Sequence, residues 1–216
     1  MGALALLAFQ TAEAAKRDAS KVITIVALGD SLTAGYGLSR QQAYPALVAE
    51  KMRAAGYAFE VVNAGSSGDT TAGGLRRLPA ILRAHKKIDV FILELGINDA
   101  FRGVPIDQIR ANLQAIIDHV RARHPSAAIV IAGMQLPDFS SDDYVGAFGG
   151  IFGALAEKNR AILIPYLLAG VGGNPELNQW DRVHPNAAGQ RVLAENVWRV
   201  LEPLLRKTAT KPTALL

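Results

Sequence analysis

The sequence predicts an α/β domain in which a parallel sheet is covered by helices on both faces. Three observations lead there. From residue 22 onward, strand-length apolar runs alternate with helix-length amphipathic stretches. The strand-like runs are nearly continuous in their hydrophobicity, as strands buried on both faces are. Finally, 50% of the 216 residues are hydrophobic and 19% charged, which is enough apolar mass for one sizeable core.

Taken in order, residues 22–28 form a β-branched run of strand length, ended by Gly29-Asp30-Ser31. An amphipathic stretch over 43–55 reads as a helix, and 59–63 as the second strand. A Gly/Ser segment, 64–68, leads into a helix over 70–84. Residues 88–95 are apolar apart from Asp89 and Glu94 and make the third strand. Helical spacing returns over 104–123, with Pro105 where a first turn tolerates it. A fourth strand over 127–132, a Pro/Asp/Ser loop, a helix to 158 and a short fifth strand over 161–164 follow. A Gly/Asn/Pro-rich stretch over 170–179 precedes the last helix, over 187–205. The expected organisation is a lead over 1–20, one domain over 21–206 and a tail over 207–216. In such folds ligands bind at the carboxyl ends of the strands.

Composition narrows the function classes. There is no cysteine, so disulfides, thiol catalysis and cysteine metal sites are excluded. The net charge is +4, but the basic residues are scattered; Arg76-Arg77 and Lys86-Lys87 are too short to form a nucleic-acid surface. No apolar run reaches the roughly 18 residues that cross a bilayer, so stable membrane insertion is not expected. An apolar stretch over 2–9, then small residues over 10–15, resembles a truncated export signal that lacks the charged start. That reading places the protein in the periplasm or outside the cell; a tag-like lead or an extra helix would leave it cytoplasmic. His85, His119 and His124 share no metal-ligand spacing, and neither a metal nor an organic cofactor is expected.

Four blocks fall where a ligand site is expected. Ser31 lies three residues past the first predicted strand, where Gly29 would allow a tight turn; alone, such a serine is more often only a helix N-cap. A hydroxyl becomes a nucleophile only with a base and with donors for the oxyanion. After the second strand, Gly68 can bring a backbone N–H close to a ligand, or the loop is an ordinary connection with Asp69 or Thr70 as cap. After the third, Asn98 offers a neutral amide donor, or it is an Asx-turn residue. Before the last helix, Asp181-Arg182-Val183-His184 lets a carboxylate reach the near nitrogen of an imidazole. The far nitrogen is then free to accept a proton; the alternative is a capping motif. Four separate structural explanations in this chain order are less economical than one site.

With these motifs in hand, the sequence resembles the GDSL or SGNH hydrolases. The resemblance rests on Gly29-Asp30-Ser31-Leu32 with Thr33-Ala34-Gly35-Tyr36-Gly37, the Gly68 loop, Gly96-Ile97-Asn98-Asp99 and Asp181-Arg182-Val183-His184-Pro185, and it covers residues 22–205. It implies a three-layer, flavodoxin-like fold with strand order 2-1-3-4-5. It also implies Ser31 as nucleophile, His184 as base, Asp181 as its orienter, and Ser31 N–H, Gly68 N–H and the Asn98 side chain as oxyanion hole. Among the family's members, the sequence is similar to bacterial arylesterases and multifunctional thioesterase/lysophospholipases, so the implied substrate is a small acyl or aryl ester, thioester or lysophospholipid. Apolar Leu32, Ile97, Phe101 and Leu136 stand near the expected site and suggest an acyl pocket. Few aromatics and no lid-like insertion point to small or medium acyl groups. The sequence departs from close relatives after Leu136-Pro137, where Asp138-Phe139-Ser140-Ser141 stands, and in the Gly/Asn-rich stretch over 168–180. Acyl transfer to another alcohol remains open. A nucleotide-binding module lacks its motif, since no Gly-x-Gly-x-x-Gly follows the first strand and there is no Gly-Lys-Ser/Thr loop.

Overall fold

Five strands, β1 (Ile23–Gly29), β2 (Phe59–Gly65), β3 (Val90–Glu94), β4 (Ala128–Ala132) and β5 (Ile162–Ile164), form one parallel sheet in the order β2-β1-β3-β4-β5. The structure, a computed structural model, describes residues 22–136 and 142–209. β1 and β3 are central and buried, and their β-branched residues suit a surface packed on both faces. β2 lies at an edge and is only half-buried.

The helices are α1 (Ser31–Ala34), α2 (Tyr44–Ala54), α3 (Thr71–Ala84), α4 (Ile97–Phe101), α5 (Ile106–Arg123), α6 (Asp142–Lys158) and α7 (Ala187–Ala209), with a 3-10 turn over Arg40–Gln42. α2 and α7 pack together on one face of the sheet, while α3, α5 and α6 form the layer on the other. Tyr44, Phe91, Phe148 and Phe152 are the largest side chains fully enclosed between the layers, the last two edge to face at 5.3 Å. This is the expected three-layer fold with the expected strand order.

The differences are local. α1 and α4 are single turns directly after β1 and β3, too short to leave a periodic signal. β1 continues through Gly29, so Ser31 stands two residues past the strand rather than three. Gly29 serves close packing rather than the turn: a Cβ there would lie 2.0 Å from Thr33 Oγ1 and 2.5 Å from Glu94 Oε2. α7 runs through Ala209, past the helix end expected at 205; Leu205 is still buried and Arg206 pairs with Glu202 one turn back. The expected lead, the remainder of the tail and the Asp138–Ser141 departure lie outside the described residues.

Register positions the site. Gly29 pairs with Gly65 on one side and with Glu94 on the other, so β1, β2 and β3 end level. From β1 the chain crosses first to β2 and then back past β1 to β3. The crevice at that reversal is where a doubly wound sheet accepts ligands.

Candidate active site

α1 begins at the crevice. Its N-cap, Asp30, accepts the Leu32 N–H on Oδ1 at 3.0 Å, and Gly35 closes the turn in the left-handed conformation at φ 76°. Ser31 is thus held at the first position of α1, 8% exposed, with its hydroxyl facing the segment before α7.

That segment is a tight loop pinned at its base. Asn178 bridges Pro185, and Gln179 N–H donates to His184 O at 2.7 Å. Arg182 takes a left-handed φ of 60° at the tip. Asp181 Oδ1 accepts the N–H groups of Val183 (2.9 Å) and His184 (3.0 Å), and Oδ2 lies 2.7 Å from His184 Nδ1. Partial burial opposes ionisation of Asp181, but the hydrogen bonds from His184 and Val183 outweigh it and hold the group at about 2. An ionised carboxylate only accepts, so Nδ1 carries the hydrogen and Nε2 is the acceptor. Nε2 lies 3.0 Å from Ser31 Oγ, 153 residues away in sequence. The Tyr36 ring lies against the same imidazole.

On the other side of Ser31, the loop after β2 begins with Ser66 N–H donating to Gly29 O at 3.0 Å. Gly68 has φ 77° and is exposed, with open space where a Cβ would stand save Arg102 Nη2 at 3.9 Å. Only glycine takes that φ without strain. Arg77 on α3 clamps the loop, reaching Asp69 Oδ2 (2.6 Å), Ala64 O (2.6 Å) and Gly29 O (2.8 Å). Thr70, one of the two expected caps, accepts the Gly73 N–H.

Asn98 on α4 ties these parts together. It makes no Asx turn of its own; its Nδ2 donates to Asp30 Oδ2 and to Asp69 O, both at 3.0 Å. Its neighbour Asp99 accepts the N–H and hydroxyl of Thr71, fixing α4 to the start of α3. Ser31, Gly68, Asn98, Asp181 and His184 are therefore brought to one crevice.

The expected acyl-pocket residues divide. Leu32 and Leu136 belong to the buried core, 4% and 7% exposed. Leu32 points inward because the α1 turn that directs Ser31 to the crevice sends the next side chain into the layers. Ile97 is half-buried and Phe101 exposed, both on the crevice helix α4. Sequence reasoning passed over Tyr36, Arg77 and Gln179; Gln179 Nε2 donates to Tyr36 O and Pro185 O. It also left Glu94 without a role. A carboxylate ending a buried apolar strand, level with the Gly-Asp-Ser turn, was the available signal. His124 is buried at the end of α5, where desolvation lowers its pKa. Among the described residues no group of three or more His, Asp or Glu could hold a metal ion, and no helix is long and apolar enough to cross a membrane.

The GDSL-like lipase/acylhydrolase family model matches residues 27–192, most of the chain. The chain belongs to that family. As a GDSL hydrolase it is a carboxylic ester hydrolase. It is 42% identical over 182 residues to the esterase TesA of Pseudomonas aeruginosa, covering 84% of this chain and 89% of that one. It is 37% identical to the thioesterase 1/protease 1/lysophospholipase L1 of Escherichia coli, covering 84% and 85%. Among solved structures, the SGNH-hydrolase family esterase AlinE4 superposes with a TM-score of 0.71 at 37% identity, covering 88% of this GDSL hydrolase and 97% of that chain.

Proposed function

We propose that this hydrolase cleaves short to medium acyl or aryl esters through an acyl-Ser31 intermediate, with His184 as base and Asp181 as its orienter. The observation that carries the reading is the unbroken line from Ser31 Oγ to His184 Nε2 (3.0 Å) and from His184 Nδ1 to Asp181 Oδ2 (2.7 Å). Ser31 Oγ attacks the ester carbonyl as its proton passes to Nε2. The tetrahedral intermediate collapses, and the alcohol leaves with that proton. Water then attacks the acyl carbon, gives its proton to Nε2, and Ser31 regains a proton as the acid departs. Asp181 stays ionised throughout and stabilises the imidazolium.

The carbonyl oxygen gathers negative charge between the Ser31 N–H, the Gly68 N–H and the Asn98 amide. The Asn98 hydrogen that rests on Asp69 O is the one exchanged for the oxyanion, while the other stays on Asp30. Ile97 and Phe101 face the acyl or aryl group. The names of the relatives extend the substrate class to thioesters and lysophospholipids.

The test is turnover of p-nitrophenyl butyrate by Ser31→Ala, with circular dichroism as the folding control. A loss of about 10³-fold or more in kcat is expected, in line with removal of an activated nucleophile. Retained turnover in a folded variant would overturn the assignment. A fluorophosphonate probe labels the parent protein and not the variant.

A further inference from the structure

Beneath the crevice two carboxyl groups share a dry site that the mechanism above does not use. Asp30 and Glu94 are both 0% exposed. Glu94 Oε2 accepts the Asp30 N–H at 3.1 Å and the Thr33 hydroxyl at 2.7 Å. Thr33 Oγ1, having given its proton there, receives the Tyr44 hydroxyl at 3.0 Å, so the chain of donors runs toward Oε2. Glu94 Oε1 is buried and receives no hydrogen bond from any described donor. The Asp30 carboxyl already accepts Leu32 N–H on Oδ1 and Asn98 Nδ2 on Oδ2.

We infer that Glu94 works as a neutral carboxylic acid, its Oε1–H donated to the Asp30 carboxylate, and that this acid–carboxylate pair is the positioning element for Asn98. A buried carboxylate oxygen with no donor carries the full desolvation penalty, and two adjacent carboxylates cannot both ionise without further cost. A proton on Oε1 removes both penalties at once. It resides on Glu94 rather than Asp30 because each Asp30 oxygen already holds an N–H donor while Glu94 Oε1 holds none, and because burial raises Asp30 only to about 6, with hydrogen bonds and the His184 charge pulling it down. The remaining charged or titratable neighbours do not alter this. Tyr44 is held as a neutral phenol, chiefly by burial. Arg77 reaches the Gly29 carbonyl rather than either carboxyl, and pairs with Asp69. Burial, then the nearby Asp30 charge, raises Glu94 well above the ordinary carboxylate range.

The consequence reaches the oxyanion through one intermediary. With Glu94 protonated, Asp30 keeps a full negative charge in a rigid position, and the first Asn98 N–H stays bound there. The carboxamide cannot rotate, so its second N–H stays aimed at one place, where the substrate oxygen competes with the Asp69 carbonyl for it. Glu94 and Asp30 are positioning residues and touch no reacting atom. The inference rests on Asn98 as an oxyanion donor.

The experiment compares Glu94→Gln, Glu94→Ala, Asn98→Ala and the double variant Glu94→Ala/Asn98→Ala with the parent enzyme. Readouts are kcat and KM for p-nitrophenyl butyrate, and infrared difference spectra for a neutral carboxylic acid at pH 7. Asn98→Ala should lose about 10²–10³ in kcat; if it loses nothing, the oxyanion assignment itself falls, independently of Glu94. Glu94→Ala should lose about tenfold or more in kcat with KM little changed. Glu94→Gln, which keeps a donor where Oε1–H stood and an acceptor at Oε2, should restore kcat to within about threefold. In the Asn98→Ala background Glu94→Ala should add no further loss. The parent should show the carbonyl band of a neutral acid, absent in Glu94→Gln. Absence of that band from the parent, a Glu94→Gln loss as large as that of Asn98→Ala, or additive losses in the double variant would each overturn the inference. Should Glu94→Ala fail to fold, the infrared band and Glu94→Gln decide.

Discussion

The ring of Tyr36 lies against the imidazole of His184, centroids 4.5 Å apart and planes tilted by 40°. Tyr36 directly follows the Gly35 cap that ends the Ser31 turn, and its carbonyl receives Gln179 Nε2 at 2.6 Å from the loop that carries His184. The helix that carries Ser31 and the loop that carries His184 are therefore joined by a ring contact and a hydrogen bond as well as by the Ser31–His184 pair. Restricting the imidazole to one orientation matters because proton transfer depends on the angle at Nε2.

Tyr36→Ala should lower kcat by about twofold to tenfold, the equivalent of an aromatic contact of ~0.5–1.5 kcal/mol. Tyr36→Phe keeps the ring and should stay near the parent. The check is kcat for p-nitrophenyl butyrate in both variants. Equal losses would assign the effect to the hydroxyl instead of the ring.

Asp181→Asn should reduce kcat by about 10²-fold or more, since an amide at that position favours the wrong imidazole tautomer. The loss should be smaller than that of His184→Ala, which removes the proton acceptor altogether. Stability carries a second signature. The carboxyl titrates at about 2 in the folded protein, against 3.8 ordinarily. Its ionised form therefore contributes stability above pH 3.8, and that contribution is lost as pH falls through 2. The melting-temperature gap between parent and Asp181→Asn should narrow as pH is lowered from 5 to 2. A constant gap would contradict the linkage.

Most of the fold and the five crevice residues were legible in the sequence, for identifiable reasons. The strands are long apolar runs, so their number and parallel arrangement follow from hydrophobicity alone. Ser31, Gly68, Asn98, Asp181 and His184 each stand beside a strand end or a helix start, where position itself carries information. What escaped depends on distances that no local pattern encodes. Leu32 and Leu136 read as apolar residues near the motifs, but how deeply each is buried is set by the α1 turn and by the packing of the layers. Glu94 stood in plain view within an apolar strand. Its meaning appears only when the register brings it beside Gly29 and under Asp30. Arg77 lies in an ordinary amphipathic helix and gave no signal that its guanidinium reaches across to two strand ends.

Phe101 on α4 is 49% exposed beside the crevice, where an acyl or aryl group would cover it. Phe101→Ala should raise KM for p-nitrophenyl hexanoate by about threefold to tenfold, a fraction of the ~1.5–3 kcal/mol gained on fully burying such a side chain. kcat should change little, because ground state and transition state lose the contact alike. The effect should shrink for the acetate ester. A uniform change across chain lengths would place the acyl group elsewhere.

The clamp formed by Arg77 makes the last prediction, because it separates folding from positioning. One guanidinium bonds Asp69, the Ala64 carbonyl at the end of β2 and the Gly29 carbonyl at the end of β1, so it fixes the Gly68 loop relative to the strand that launches Ser31. Arg77→Ala removes a charged donor from two carbonyls and a carboxylate, although Gly29 O keeps the Ser66 N–H and Asp69 the Thr70 N–H. A cost of roughly 2–3 kcal/mol follows from charge-assisted bonds of this kind. In a domain of this size that corresponds to a fall in melting temperature of about 5–10 °C. The loosened loop should also lower kcat, by about tenfold, as the Gly68 N–H loses its alignment with the oxyanion. Arg77→Lys supplies the charge for Asp69 but not the planar fork that spans three acceptors. It should therefore recover part of the stability and little of the rate. Thermal melts and kcat measured well below the transition decide the matter. A variant that melts early yet turns over at the parent rate would show that Arg77 holds the fold together and has no part in aligning Gly68.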